Sequence, residues 1–155
     1  MKRRVFWAGD STVAYNNITT FPQTGIGQVM NLYLKEDVEI HNFAKNGRST
    51  KSFIQEGLLT KIENEISKND FLFIQFGHND QKDDIERRTE PFTSFQENLS
   101  KFLNVAISKD ANPIFITPLY RRHFDDKDVL EDNVHLDYPD SIIQFATKHN
   151  VPYID

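Results

Sequence analysis

Five short apolar runs separated by longer amphipathic stretches constrain this chain more than any other feature of its sequence. The runs cover residues 5–8, 38–43, 71–76, 113–117 and 151–154. Between them, residues 27–34, 51–67, 92–108 and 138–149 carry apolar side chains at helical spacing. Phe95, Leu99, Phe102, Leu103 and Ala106, for example, fall on one face of such a helix. Strand–helix alternation of this kind predicts a parallel sheet covered by helices. No internal repeat, low-complexity tract or linker interrupts it, so the expectation is one domain over residues 1–155.

A length of 155 residues fits a single core. Only 38% of residues are hydrophobic, but thirteen Phe, five Tyr and one Trp supply large surfaces to bury. Right-handed crossovers restrict the strand order. The flavodoxin-like order 2-1-3-4-5 predicts a three-layer α/β/α fold with a five-stranded parallel sheet. In that order the carboxyl ends of strands one and three meet at the switch point, where open α/β sheets bind ligands. Strand two flanks strand one on its other side.

That arrangement brings three segments to one rim. Gly9-Asp10-Ser11-Thr12 follows the first run, Asn42-Phe43-Ala44-Lys45-Asn46-Gly47-Arg48-Ser49 closes the second, and Gly77-His78-Asn79-Asp80 follows the third. A serine hydroxyl becomes a useful nucleophile when a base takes its proton. The tetrahedral intermediate of acyl transfer then needs donors aimed at its new negative oxygen. The backbone N–H groups of Ser11 and Gly47 and the side-chain amide of Asn79 are suitable donors. Glycine suits a backbone that must approach a ligand closely, and a carboxamide donates without adding charge.

On these three blocks the sequence resembles the SGNH (GDSL-type) hydrolases, a family of serine esterases. Thr89-Glu90-Pro91-Phe92, the stretch Thr117-Pro118-Leu119-Tyr120-Arg121-Arg122-His123-Phe124 and Asp137-Tyr138-Pro139 resemble its rhamnogalacturonan acetylesterase-like branch. In Gly25-Ile26-Gly27-Gln28 the isoleucine stands where that branch often has Trp. The resemblance implies Ser11 as nucleophile, Gly47 and Asn79 as partners in the oxyanion hole, and no cofactor. It implies removal of O-acetyl groups from a carbohydrate of the pectin or rhamnogalacturonan type, through an acyl-enzyme. The rival reading is a catalytically silent carbohydrate-binding domain, or an inactive fragment of such an esterase.

The family's base and its orienting carboxylate come from an Asp-x-x-His block beyond the fifth strand and before a terminal helix. Here the fifth strand coincides with the last residues of the sequence. The expectation is therefore a domain incomplete at its C-terminus, lacking that terminal helix and poorly active alone. It leaves the first helix alone on its face of the sheet, with self-association through the uncovered face as a possible outcome. Asp132-Asn133-Val134-His135 spells Asp-x-x-His, but lies in the loop after strand four. A substrate-contact or loop-forming His135, not bonded to Ser11, is the expectation.

The remaining polar residues have plainer readings. Asp10 belongs to the turn, His78 shapes its loop, His41 is structural within strand two, and His149 closes the fourth helix. Residues 82–90 read as a solvated loop of mixed charge that could border a sugar site. Arg121 and Arg122 suit either loop ion pairs or an anionic sugar such as a galacturonate. A net charge of −5 argues against a nucleic-acid footprint. The lack of cysteine excludes disulfides and thiolate chemistry. No histidine pair has i, i+4 spacing, so no metal is expected. Gly25-x-Gly27 lacks a third glycine, so neither a dinucleotide nor a phosphate loop is expected. Met1-Lys2-Arg3-Arg4 precedes an apolar stretch too short for a signal peptide's ~7–15 residues. No run approaches the ~18–20 residues of a membrane span. The expectation is a cytoplasmic protein with no membrane partner.

Overall fold

In the computed structural model, which describes residues 2–155, β1 (Arg3–Gly9) lies parallel to β2 (Val38–Asn42) on one side and β3 (Phe71–Gln75) on the other. Met1, the first residue of the basic start, lies outside the described residues. Beyond β3 come β4 (Asn112–Ile116) and β5 (Tyr153–Ile154), completing a five-stranded sheet in the expected order β2-β1-β3-β4-β5. The register sets Trp7 opposite Asn42 on one side and Phe73 on the other.

Strand alternation gives the sheet two unlike faces. Phe6, Ala8, Leu72, Ile74 and Phe115 point into the larger core. Over them lie α2 (Thr50–Gln55), α3 (Leu58–Glu65), α4 (Gln96–Ser108) and α5 (Tyr138–Lys148). Phe53, Phe76 and Phe102 form an aromatic knot there, with Phe76 centred 5.3 Å from each of the other two rings. Each fully buried ring of this kind contributes roughly 1.5–3 kcal/mol of transfer free energy. On the opposite face Val5, Trp7 and Val13 form a smaller cluster, joined by Ile26 from α1 (Ile26–Val29) and by Met30. Phe71, Phe73 and Ile116 are half-buried on that side, and Tyr153 and Ile154 are exposed.

The helices are more broken than their periodicity suggests. Residues 27–34 yield one α-helical turn followed by a 3₁₀ turn over Met30–Leu32. The helix expected over residues 51–67 is two helices, because Gly57 adopts φ 74°, a left-handed conformation that ends the regular ladder. Before α4 the chain makes a π-helical turn over Pro91–Phe95. β5 is shorter than its apolar run because the Val151 N–H turns back to the Ala146 carbonyl at 2.9 Å, closing α5.

At the carboxyl edge the loop after β2 is bonded to the end of β1 and to the loop after β3, and the excursion after β4 meets the loop after β3. The excursion over residues 117–137 is pinned at both ends. Pro118 abuts Gly77, where a Cβ would lie 3.1 Å from the proline Cγ. At the far end, the Tyr138 hydroxyl lies 2.8 Å from the Asp80 carbonyl. Between these pins, residues 122–133 are all exposed.

Candidate active site

The turn carrying Ser11 is built by Asp10. The buried Asp10 carbonyl accepts the N–H groups of Val13 at 3.1 Å and Ala14 at 3.0 Å. Its carboxylate Oδ1 accepts both the N–H and the hydroxyl of Thr12 at 2.9 Å. Asp10 is thus the structural residue of the turn, as expected, and Ser11 is left half-buried at its crest. Burial pushes the Asp10 carboxyl up from its ordinary value, against the hydrogen bonds from Thr12 and the charge of Arg121.

Two glycines let α1 close on this turn. A Cβ at Gly25 would sit 2.1 Å from the Ala14 carbonyl oxygen, and one at Gly27 would sit 2.6 Å from Asn42 Nδ2. Asn42 in turn donates to the Val13 carbonyl at 2.9 Å. The Ser11 turn is therefore clamped from α1 and from the end of β2.

The loop after β2 is drawn alongside by the Phe43 N–H to the Trp7 carbonyl at 3.0 Å and the Lys45 N–H to the Gly9 carbonyl at 3.1 Å. Gly47 has φ 78°, and a Cβ added there would meet nothing within 4 Å. Glycine is required by the left-handed backbone, not by crowding from neighbouring protein atoms.

Asn79, buried in the loop after β3, reaches that neighbouring loop. Its Nδ2 donates to the Arg48 carbonyl at 3.1 Å, and its Oδ1 accepts from Arg87 Nη1 at 3.4 Å. Both partners demand the same orientation of the carboxamide. Arg87 is itself held by Asp84, with Nη2 2.6 Å from Oδ2. Sequence reasoning placed Arg87 in a solvated loop; its link to Asn79 is a tertiary contact with no local signature.

Beneath Asn79, Asp80 is fully buried and accepts from the Thr50 N–H at 3.0 Å, the Thr50 hydroxyl, and the Thr89 hydroxyl at 3.2 Å. Burial is the largest influence on its carboxyl, which is pushed up to about 7 despite those donors, with Asp10 adding in the same direction. The Asn98 side chain completes the cluster by donating to the Thr50 hydroxyl at 3.1 Å. This network locks the third loop onto α2 and α4.

Two histidines meet beside the rim, their rings 4.3 Å apart and nearly perpendicular. His135 Nε2 lies 2.8 Å from the Leu119 carbonyl, which can only accept, so Nε2 carries the proton. Its Nδ1 is buried without a hydrogen-bond partner. His135 is therefore not bonded to Ser11 and serves the loop. His78 Nδ1 accepts from Arg121 Nε at 3.1 Å, while Arg121 Nη2 donates to the His78 carbonyl at 3.1 Å. Burial, followed by the charges of His135, Arg121 and Lys82, pushes His78 down to about 3. His135 is also lowered, mainly by burial.

His41 stacks on Phe6 at 4.6 Å, and His149 caps α5 with its ring 4.3 Å from Phe145. Both are structural. Among the described residues no group of three or more His, Cys, Asp or Glu side chains is placed to hold a metal. Among the same residues no helix is long and apolar enough to cross a membrane.

Comparison with known proteins bears on this geometry. The chain is 43% identical over 152 residues to rhamnogalacturonan acetylesterase RhgT of Bacillus subtilis, a match covering 98% of this chain and 64% of that protein. It is 40% identical over 161 residues to probable rhamnogalacturonan acetylesterase YesY of the same organism, covering 100% of this chain and 70% of YesY. The crystal structure of B. subtilis YxiM matches with a TM-score of 0.85 at 25% identity, over 100% of this chain and 44% of that one. The chain thus spans just under two thirds of RhgT's length. Residues 5–155 match the family described as GDSL-like lipase/acylhydrolase. With this match across almost the whole chain, and with YesY related over most of its own length, the chain belongs to the GDSL-like lipase/acylhydrolase family.

Proposed function

We propose that this chain carries the ester-hydrolysis chemistry of its family and is directed to O-acetyl groups on a carbohydrate. Ser11 Oγ is the nucleophile. The backbone N–H groups of Ser11 and Gly47 and the Asn79 carboxamide hold the oxyanion. The observation that carries this reading is the meeting of three loops. Asn79 Nδ2 is bonded to the residue after Gly47, and the Lys45 N–H is bonded to Gly9, two residues before Ser11. The names of RhgT and YesY support an acetylated rhamnogalacturonan as substrate.

In this mechanism Ser11 Oγ bonds to the acetyl carbonyl carbon as its proton passes to a base. The carbonyl electron pair moves onto oxygen, where the three donors stabilise it. Collapse expels the sugar oxygen, which takes up a proton, and leaves acetyl-serine. Water then attacks, releasing acetate and restoring Ser11. Asn79 Nδ2 has two hydrogens, so its bond to Arg48 leaves one for the oxyanion. The base is neither His78 nor His135: one accepts from Arg121, and the other holds Leu119 with its remaining nitrogen buried. The family resemblance assigns that role to the Asp-x-x-His block.

The test is acetate release from acetylated rhamnogalacturonan oligosaccharides, together with labelling of the protein by a p-nitrophenyl phosphonate. Weak release from this chain that disappears in Ser11→Ala, with one phosphonyl group on Ser11, is the expected result. No release and no adduct on Ser11 would sink the reading.

A further inference from the structure

Arg121 differs from Arg48, Arg87 and Arg88 in having no carboxylate partner among the described residues, and from its neighbour Arg122 in being bonded to the third rim loop. Arg48 pairs with Glu56 at 2.8 Å, Arg87 with Asp84 at 2.6 Å and Arg88 with Glu90 at 2.8 Å. Among the described residues no carboxylate lies within ion-pair distance of Arg121, although the chain carries a net charge of −5. The side chain is nevertheless fixed. Its Nε and Nη2, the two donors along one edge of the guanidinium, are bonded to the ring and the carbonyl of His78.

That attachment settles both position and charge. His78 stands between Gly77 and Asn79, so Arg121 is tied directly to the loop that supplies the Asn79 amide. Asp10, the residue before Ser11, feels the Arg121 charge. An imidazole that accepts from a guanidinium must be neutral, so the attachment adds no second charge and leaves the arginine a full cation. The edge formed by Nη1 and the second hydrogen of Nη2 is not used by His78. A guanidinium edge presents two parallel N–H groups at the spacing of a carboxylate's oxygens. A neutral acetylated sugar has hydroxyl and carbonyl acceptors but no anion to match it.

We propose that Arg121 is the specificity-determining residue of this site, its free guanidinium edge taking the carboxylate of a uronic acid in the acetylated sugar chain. The proposal rests on the esterase reading, whose rhamnogalacturonan substrate already carries uronic acids, and adds the residue that recognises their carboxylates. His78 acts through Arg121 as a positioning residue: it receives one edge and thereby aims the other.

Binding measured on the Ser11→Ala chain, which cannot turn over, tests this without relying on catalysis. The probes are a galacturonic acid trimer, the same trimer as its methyl ester, and free acetate. The acid should bind about tenfold more tightly than the ester, the lower end of what a charge-assisted pair supplies. In the added Arg121→Gln background the two should bind alike, while Arg122→Gln keeps the preference. Matching thermal melts for the two arginine variants exclude misfolding as the cause. The preference should shrink as salt is raised from about 0.05 to 0.5 M. Adding His78→Phe to the Ser11→Ala chain, which removes the acceptor but keeps a ring, should weaken the preference.

Equal affinity for acid and ester, a preference surviving Arg121→Gln, or no detectable binding of the acid overturns the proposal. Acetate competing as well as the acid trimer, with the same dependence on Arg121, would assign the edge to the released product and also overturn it. Phosphonate labelling of Ser11 is read separately. Its failure would sink the hydrolase reading with the acid preference intact, and the converse result would sink only this subsite.

Discussion

The carboxamide nitrogen of Asn79 donates to the backbone carbonyl of Arg48 at 3.1 Å, so the loop after β3 holds the loop after β2 one residue beyond Gly47. This bond makes the relative position of two proposed oxyanion donors a property of one side chain. Arg87 steadies the opposite end of the same carboxamide, with Asp84 behind it.

In a complete enzyme that carries the Asp-x-x-His block, Asn79→Ala is expected to lower kcat by about 10²–10³ with little change in KM, the usual effect of losing one oxyanion donor. Arg87→Met should reduce kcat in the same direction but less, because it frees the carboxamide without removing it. Steady-state kinetics on an acetylated oligosaccharide separates the two, and an unchanged kcat in Asn79→Ala removes that residue from the hole.

Asp80 and His78 set opposing slopes of stability with pH. The folded Asp80 carboxyl titrates near 7 against an ordinary 3.8, so between those values the folded state holds a proton that the unfolded state has lost. Its contribution is fully present below about pH 4 and is lost as pH rises through 7. His78 is held at about 3 against an ordinary 6.5, so its contribution is present above 6.5 and is lost as pH falls toward 3. Thermal melts of Asp80→Asn across pH 4 to about 8 should therefore show the variant gaining on the native chain as pH rises. A constant difference in Tm would mean that Asp80 ionises normally.

The hydrogen-bond pattern fixes the tautomers of both rim histidines. His78 accepts at Nδ1 and His135 donates from Nε2, so each carries its proton on Nε2 near neutral pH. Long-range ¹H–¹⁵N correlation spectra of the imidazoles should show this form for both. A protonated Nδ1 on His78 would mean that its bond from Arg121 does not exist in solution.

The glycines of the rim should fail in different ways. Gly47→Ala meets no neighbour, so its cost is the left-handed backbone alone, about 1–2 kcal/mol. Gly47→Asn should cost less, since asparagine visits that region more readily. Gly25→Ala drives a Cβ to 2.1 Å from the Ala14 carbonyl and should destabilise more than either. Urea midpoints for the three variants give the order, and a tolerant Gly25→Ala would contradict the clamp on the Ser11 turn.

The strand order and the three rim blocks were legible because they depend on features local in sequence. Apolar runs mark the strands, and Ser11, Gly47 and Asn79 each follow one of them. Gly57 was hidden because an apolar periodicity continues across it, while its φ of 74° breaks the backbone ladder. Arg87 was hidden for a different reason. Its stretch is almost wholly polar, and nothing in a charge pattern says which arginine will turn inward to a residue in another loop. The reason for Gly47 is likewise invisible in sequence, since crowding and a left-handed φ both select glycine.

The exposed excursion from residue 122 to 133 is fastened at Pro118 and Tyr138 by contacts to the loop after β3, and carries none of the three proposed catalytic groups. Its interior can therefore vary in length and composition while the reacting geometry is inherited unchanged. One chemical apparatus can be re-aimed at different polymers by exchanging a visor of about a dozen residues, a loop length already associated with function. A graft of residues 122–133 that respects both fastenings and keeps Arg121 should change contacts farther along a bound polymer and leave the proposed carboxylate contact and reacting groups as they are.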